Sequence, residues 1–152
     1  IRKGDKVRVL PERGSVKKGD QRLWQVKRVV KDGDAKVAEL LANPGIIRNR
    51  LKVAATIGNA KAYLAMEARG QDFSHFVWQF VDGQTLQHRR RSMAEVPAKT
   101  AASDAMSKAL LKEGFKFVGS TICYAFMQAS GMVNDHLVSC HRHAAASTRV
   151  LT

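Results

Sequence analysis

The spacing of apolar residues changes along this chain of 152 residues and divides it into two unlike segments. Apolar and polar residues alternate over residues 6–10 and 24–30, where β-branched residues are frequent. A period of two with this composition is typical of strands. The Asp-Gly pair at 32–33 favours a tight hairpin turn, with 35–37 as the returning strand. We therefore predict a small β-meander over residues 1–36.

Farther along the chain the apolar residues recur with the period of an amphipathic helix. Residues 51–66 place four apolar side chains on one stripe, namely Val53, Ile57, Ala60 and Leu64. Residues 73–81 carry Phe and Val at helical spacing. The pattern predicts a mainly α fold, with a helical domain over residues 37–143 after the short basic β segment. Residues 144–152 show no pattern, and we expect a disordered tail there.

Two more helices are expected on either side of a short connection. Thr100 or Ser103 is suited to cap the first helix, which should end at Gly114 because glycine commonly follows a helix C-terminus. The second helix should run from about Ser120 to Gly131. Together these segments predict a helical bundle.

The charge of the chain suggests a class of partner. Lys and Arg number 26 against 13 acidic residues, which gives a formal net charge of +13. A field of this sign attracts polyanions, and nucleic acid is the commonest of them, although anionic lipid, ribosome-like packing or mere solubility are alternatives. No apolar stretch approaches the roughly 20 residues of a membrane span, and two cysteines cannot form a disulfide framework. We therefore expect a cytoplasmic protein with no membrane partner.

The connection between the two later helices has the features of a phosphate-binding hairpin. Gly114 ends one helix, and Gly119 lets the backbone come close to a ligand. The free N–H groups at the start of the next helix, around Ser120, suit a phosphate oxygen, and Lys116 adds a positive charge. A helix-hairpin-helix DNA clamp is built in this way, because backbone amides contact phosphates without reading bases.

An ordinary corner between two helices is the alternative for this segment, with Phe115 and Phe117 in the core. A second glycine-containing junction, at residues 43–52, carries Arg48 and Arg50. These two arginines could contact phosphates or belong to a solvated basic surface.

Histidine and cysteine near the C-terminus have the spacing of metal ligands. Asn134 is suited to cap a short last helix that holds His136 and Cys140, four residues apart and thus on one helical face. Such a pair is half of a tetrahedral zinc site, with His141 and His143 as alternates, or a coincidence of spacing.

No catalytic residue is assigned from the sequence, since no Ser/His/Asp order, phosphate loop or carboxylate pair stands out. Asp104 and Asp135 are expected in the first turns of helices, where the helix dipole favours a carboxylate without any catalytic role.

Four stretches taken together resemble DNA-3-methyladenine glycosylase type I: residues 44–50, 114–119, 122–129 and 131–136. The resemblance covers about residues 38–143 and implies the all-helical fold of the helix-hairpin-helix glycosylase superfamily. It implies hydrolysis of the N-glycosidic bond of 3-methyladenine, the first step of base-excision repair, on double-stranded DNA. It also implies a structural zinc held in part by His136 and Cys140. The DNA-binding residues that we predict are Gly114, Lys116, Gly119, Ser120, Arg48 and Arg50.

The sequence departs from the family pattern at its start. Family members begin with a Cys-Gly-Trp segment and a Tyr-His-Asp-x-Glu-Trp-Gly segment, followed by a pocket Glu and a Trp, and this sequence contains none of them. These residues supply two zinc ligands, the aromatic walls around the base and a buried carboxylate. We therefore expect a truncated bundle with impaired catalysis, monomeric unless a partner chain supplies the missing half. The alternatives are a non-catalytic module that binds the DNA backbone and a misassembled gene-fusion product.

Overall fold

A computed structural model describes residues 33–146 of the chain. They form six α-helices: α1 (Gly33–Ala42), α2 (Arg50–Ala68), α3 (Phe73–Trp78), α4 (Ala101–Lys112), α5 (Ser120–Ser130) and α6 (Arg142–Ala145). Two short strands, β1 (Leu86–Gln87) and β2 (Val133–Asn134), pair in parallel, and 3-10 helices span Gln79–Val81 and Met93–Glu95. The prediction of a mainly α fold is confirmed. Residues 1–32 of the predicted meander and residues 147–152 of the predicted tail lie outside the described residues. The predicted disorder from residue 144 is wrong for residues 144–145, because they complete helix α6.

The predicted returning strand at residues 35–37 is wrong, because these residues belong to helix α1. The run from residue 35 to Ala42 consists mostly of good helix formers, and it outweighs the hairpin signal of the Asp-Gly pair. Val37, Leu40 and Leu41 follow the i, i+3, i+4 spacing and are half-buried, and α1 packs against α2. Helix formation here is therefore stabilised by tertiary contact as well as by propensity.

Helix α4 begins where the sequence suggested. Thr100 is the N-cap: its side chain accepts a hydrogen bond from the Ser103 amide at 3.3 Å, and Ser103 Oγ accepts one from the Thr100 amide at 2.9 Å. This reciprocal capping box satisfies two N–H groups that would otherwise lack a partner. Both residues named as candidate caps therefore take part in one device.

The core of the described part lies between α4, α5 and the segments packed on them. Four methionines, each at most 1% exposed, fill its centre: Met66, Met106, Met127 and Met132. Val77 and Val81, from the predicted apolar stripe over residues 73–81, are buried against them. Methionine fills irregular gaps, which suits a site where helices and a short strand meet.

The chain after α5 does not form the predicted helix over His136 and Cys140. Asn134 pairs with β1 instead of capping a helix, and its buried amide donates to Gln87 Oε1 at 2.8 Å and to the His143 carbonyl at 2.9 Å. These bonds hold Asn134 in β2. Residues 135–137 have no regular secondary structure, residues 138–139 form a turn, and the next helix, α6, begins only at Arg142. No helix among residues 33–146 is both long and apolar enough to cross a membrane.

Candidate nucleic-acid interface

The hairpin between α4 and α5 is fixed at its base. Gly114 has φ +90°, a left-handed conformation that L side chains rarely adopt, so glycine is required there by the backbone. The next amide, of Phe115, donates to the Leu110 carbonyl at 3.0 Å, and the Phe115 ring is buried. Its ring lies 5.7 Å from that of Phe73. The first half of the hairpin is therefore anchored in the core, as the alternative interpretation expected for Phe115.

Helix α2 holds the tip of the hairpin through one side chain. Asn59 Oδ1 accepts a hydrogen bond from the Lys116 amide at 2.8 Å, and Asn59 Nδ2 donates to the Lys116 carbonyl at 3.0 Å. Both polar groups of one residue's backbone are thus satisfied by a single asparagine. Fifty-seven positions separate the two residues, and no local sequence signal connects them. Asn59 is consequently a site residue that sequence reasoning missed.

The N-terminus of α5 carries no side-chain cap. Gly119 is the N-cap residue, has no side chain to offer, and leaves the first-turn amides of an 11-residue helix without a capping acceptor. Ser120 Oγ lies 2.8 Å from Ser103 Oγ, which ties this helix start to the start of α4. A hydrogen bond from the Ser120 side chain and the charge of Lys99 lower the pKa of Asp104, although partial desolvation opposes them. A positive dipole end and one carboxylate therefore meet here.

The structure brings four of the predicted DNA-binding residues together and leaves two apart. Gly114, Lys116, Gly119 and Ser120 lie on one hairpin, and the Lys116 side chain is exposed. Arg50 begins α2, nine residues before Asn59, which corresponds to about 14 Å along the helix axis. Arg48 precedes it in an exposed loop. The arginine pair is therefore a separate basic surface, and its contact with DNA remains a prediction.

A buried carboxylate forms the centre of a polar cluster beside α5. The side chain of Asp135 is 5% exposed, and it lies in an irregular segment directly after β2 rather than in a first helical turn as expected. Four donors reach its oxygens: Tyr124 Oη at 2.5 Å, His88 Nδ1 at 2.8 Å, Gln128 Nε2 at 2.9 Å and Arg90 Nε at 3.4 Å. The Asp135 cluster, comprising these five residues, joins α5 to the loop after β1.

The ionisation of the Asp135 cluster follows from these contacts. Burial tends to raise the pKa of Asp135, but hydrogen bonds from Tyr124, Gln128 and His88 outweigh it and lower the pKa below its usual value. Burial, together with the neighbouring carboxylate, raises the pKa of Tyr124 to about 12. At neutral pH the cluster therefore holds a charged carboxylate and a neutral phenol. With its donors in place, the carboxylate has a structural role.

The two predicted metal ligands lie side by side despite the loss of the predicted helix. Cys140 Sγ is 3.6 Å from His136 Nδ1. A zinc ion with bonds of about 2.3 Å to sulfur and 2.0–2.1 Å to nitrogen places two tetrahedral ligands about 3.6 Å apart. Among residues 33–146 no group of three or more such donors is found. His143, one of the alternate ligands, instead places its Nε2 2.9 Å from the His88 carbonyl oxygen. His136 and Cys140 by themselves therefore fit half of a zinc site.

The aromatic side chains of the described part pack mainly on one another and on the core. Tyr63 contacts Phe73 edge to face at a centroid distance of 5.8 Å, and Phe76 contacts Phe80 at 5.9 Å. All four, together with Trp78, are partly buried against the methionine-rich core. These rings therefore serve packing, as the helical spacing of Phe73 and its neighbours indicated.

Comparison with known proteins decides the family. A family model described as methyladenine glycosylase matches residues 10–143. The chain belongs to this family. The resemblance seen in the sequence is thereby confirmed. The range matched by the family model begins at residue 10, which is 28 residues before the start of that resemblance at about residue 38. Residues 10–37 therefore lie inside the matched range, although no family motif was apparent in them.

Two bacterial members of the methyladenine glycosylase family are close relatives. DNA-3-methyladenine glycosylase 1 of Escherichia coli is 57% identical over 104 residues, covering 68% of this chain and 56% of that protein. DNA-3-methyladenine glycosylase of Haemophilus influenzae is 42% identical over 134 residues, covering 88% of this chain and 72% of that protein. The chain thus spans little more than half the length of the E. coli relative.

Solved structures of the same family share the fold. A crystal structure of 3-methyladenine DNA glycosylase I superposes with a TM-score of 0.75 at 52% identity, covering 78% of this chain and 65% of the other. The Staphylococcus aureus enzyme, at 27% identity, gives a TM-score of 0.72, covering 76% of this chain and 62% of the other. The helical arrangement of residues 33–146 is therefore that of the glycosylases.

Proposed function

We propose that this chain binds the sugar–phosphate backbone of duplex DNA through the hairpin of residues 114–120, as part of a DNA-3-methyladenine glycosylase. The reaction is hydrolysis of the N-glycosidic bond of alkylated adenine in base-excision repair, in the bacterial cytoplasm. The names of the E. coli and H. influenzae relatives support this substrate. The observation that carries DNA binding is the hairpin, which combines an exposed Lys116 with an uncapped α5 N-terminus on a rigid base.

Base release places a further demand on the site. A 3-methylated adenine is cationic and leaves readily, so an enzyme must mainly extrude it and hold it against aromatic faces and a carboxylate. In the described part, Asp135 already accepts hydrogen bonds from four donors. The rings packed against the core are Tyr63, Phe73, Phe76, Trp78 and Phe80. We therefore expect the 152 residues by themselves to bind DNA with little or no base release, which is the second candidate function: a non-catalytic DNA-binding module.

Two assays test these proposals together. Fluorescence anisotropy with a labelled duplex should give a log affinity that falls linearly with log salt concentration, because phosphate contacts release counterions. Incubation with methylated DNA, followed by chromatography of the released bases, tests catalysis. Release of free 3-methyladenine would show that the chain is an active enzyme and would refute the binding-only interpretation. Absence of salt-dependent binding would refute DNA binding itself.

We also propose that His136 and Cys140 bind zinc, which would connect the segment after β2 to other donors. The support is the 3.6 Å separation of Cys140 Sγ and His136 Nδ1. A zinc ion at this pair would be structural and would cross-link the chain. Cobalt(II) is the probe: the wild-type chain should show cobalt–thiolate absorption that Cys140→Ser abolishes. Equal spectra for both proteins would exclude Cys140 as a ligand.

A further inference from the structure

The tip of the hairpin presents an aromatic ring to solvent in a strained conformation. Phe117 has φ +58°, in the left-handed region, and its side chain is 53% exposed. A residue with a Cβ costs about 1–2 kcal/mol in this region, and burial of the ring does not offset that cost here. The neighbouring Phe115 is buried and Val118 is half-buried, so Phe117 alone of the three projects from the surface.

Helix α2 holds the backbone directly before this ring. The two hydrogen bonds of Asn59 hold both polar groups of the Lys116 backbone, directly before Phe117 in the chain. Gly114 and the buried Phe115 fix the other side of the turn. The ring is therefore carried by an immobilised peptide, and little backbone entropy is lost when it meets a ligand.

The surroundings of the ring indicate which ligand it contacts. Lys116 precedes it, and the uncapped N-terminus of α5 follows two residues later. A ligand for this tip must place an anion and an apolar surface within one or two residues of each other. A nucleic-acid strand does so at every nucleotide, since each phosphate is followed by a largely apolar sugar face.

We propose that Phe117 is an apolar DNA contact that packs against a deoxyribose next to the phosphate held by Lys116, and that Asn59 is its positioning residue. This inference rests on the proposed DNA binding and deepens it. Phosphate contacts through Lys116 and the α5 amides give the salt-dependent part of the affinity. The ring gives a part that does not depend on salt, because burial of apolar surface involves no counterion.

The test separates the contribution of the ring to duplex affinity from the effects of fold stability and of charge. Phe117→Gly removes the ring and relieves the positive φ, so the melting temperature should stay equal or rise. Its affinity for a labelled duplex should fall about tenfold with an unchanged salt slope. Lys116→Ala should instead reduce the salt slope by about 0.9. Met93→Ala, which truncates a 70% exposed apolar side chain elsewhere, is the matched control and should bind like wild type.

Asn59 is tested through its coupling to the ring. Asn59→Ala should weaken duplex binding at temperatures where the protein stays folded. In the double variant with Phe117→Gly the two losses should be less than multiplicative, because the positioned group is already absent. Phe117→Ala, which keeps the Cβ and the backbone strain, should lose affinity as Phe117→Gly does.

The outcomes distinguish this inference from the proposed function. A wild-type chain that shows no salt-dependent duplex binding refutes the proposed function and the inference with it. Salt-dependent wild-type binding that Phe117→Gly and Phe117→Ala leave unchanged refutes the apolar contact alone. Fully multiplicative losses in the double variant remove Asn59 from its positioning role.

Discussion

The hairpin and the Asp135 cluster lie beside the same helix, α5, and use polar groups in opposite ways. In the hairpin, backbone amides at the helix start have no capping side chain and a lysine is exposed. In the cluster, a buried carboxylate meets four donors. Polar groups left open at a surface can bind a ligand, whereas those saturated in the interior specify the fold. We therefore propose that one element serves recognition at its start and stability farther along.

The largest effect should come from removing the carboxylate at the centre of the cluster. Asp135→Ala should lower the free energy of unfolding by about 3 kcal/mol, because buried donors lose their acceptor while His88 and Arg90 can partly turn to water. Urea denaturation measures the change. Asp135→Asn, which keeps one acceptor oxygen, should lose less. The duplex affinity of the folded variants should stay near that of wild type. A loss of affinity that accompanies the loss of stability would contradict the separate roles of the hairpin and the Asp135 cluster.

A pH effect of intermediate size should come from Tyr124. Its pKa is raised to about 12, above the value of about 10 in an unfolded chain, so its contribution to stability is full below pH 10 and is lost as the pH rises towards 12. Over that interval wild type should lose about 2 kcal/mol that Tyr124→Phe does not lose. Denaturation at pH 9 and pH 11.5 measures the difference. Identical pH dependence in both proteins would show that the phenol does not remain neutral there.

The lowered pKa of Asp135 predicts the opposite dependence at acid pH. Its contribution is present above the unfolded value of about 3.9 and is lost as the pH falls through the lower folded value. Asp135→Asn should therefore show a flatter acid limb than wild type in the same denaturation series. If the stability of both proteins falls equally steeply with acid pH, carboxylates other than Asp135 cause the acid unfolding.

The smallest effect is expected at Asp104, in the first turn of α4, where this helix start meets Ser120. The Ser120 side chain lowers the pKa of Asp104, which places a negative charge next to the proposed phosphate site. Asp104→Asn should strengthen duplex binding about two- to threefold by removing this repulsion. Asp82→Asn makes the same change of net charge at another exposed position and serves as the control. Equal gains in both variants would attribute the effect to net charge alone.

Prediction from the sequence succeeded where the signal was local. The capping pair Thr100 and Ser103, the stop at Gly114 and the α5 span follow from residues a few positions apart. The apolar period over residues 73–81 likewise identified the buried Val77 and Val81. Such features depend on backbone propensity and periodicity, which a single sequence carries.

The remaining features depend on contacts between distant parts of the chain. Asn59 contacts Lys116 across 57 positions of the sequence, and Asp135 contacts His88 across 47. No local sequence pattern around one residue indicates its partner. The helix predicted around His136 failed because Asn134 pairs with β1, a strand of only two residues. The strand predicted at residues 35–37 failed because α1 packs on α2. In each case tertiary contact overrode a local preference.

The most direct test of the central claim compares the duplex affinity of wild type and Lys116→Glu over a range of salt concentrations. Lys61→Glu is the control, since it makes the same charge change on α2, about 200° around the helix from Asn59. The account predicts at least a tenfold loss of affinity and a smaller salt slope for Lys116→Glu, with little change for Lys61→Glu. Unchanged affinity in Lys116→Glu, or equal losses in both variants, would contradict a DNA contact at the hairpin.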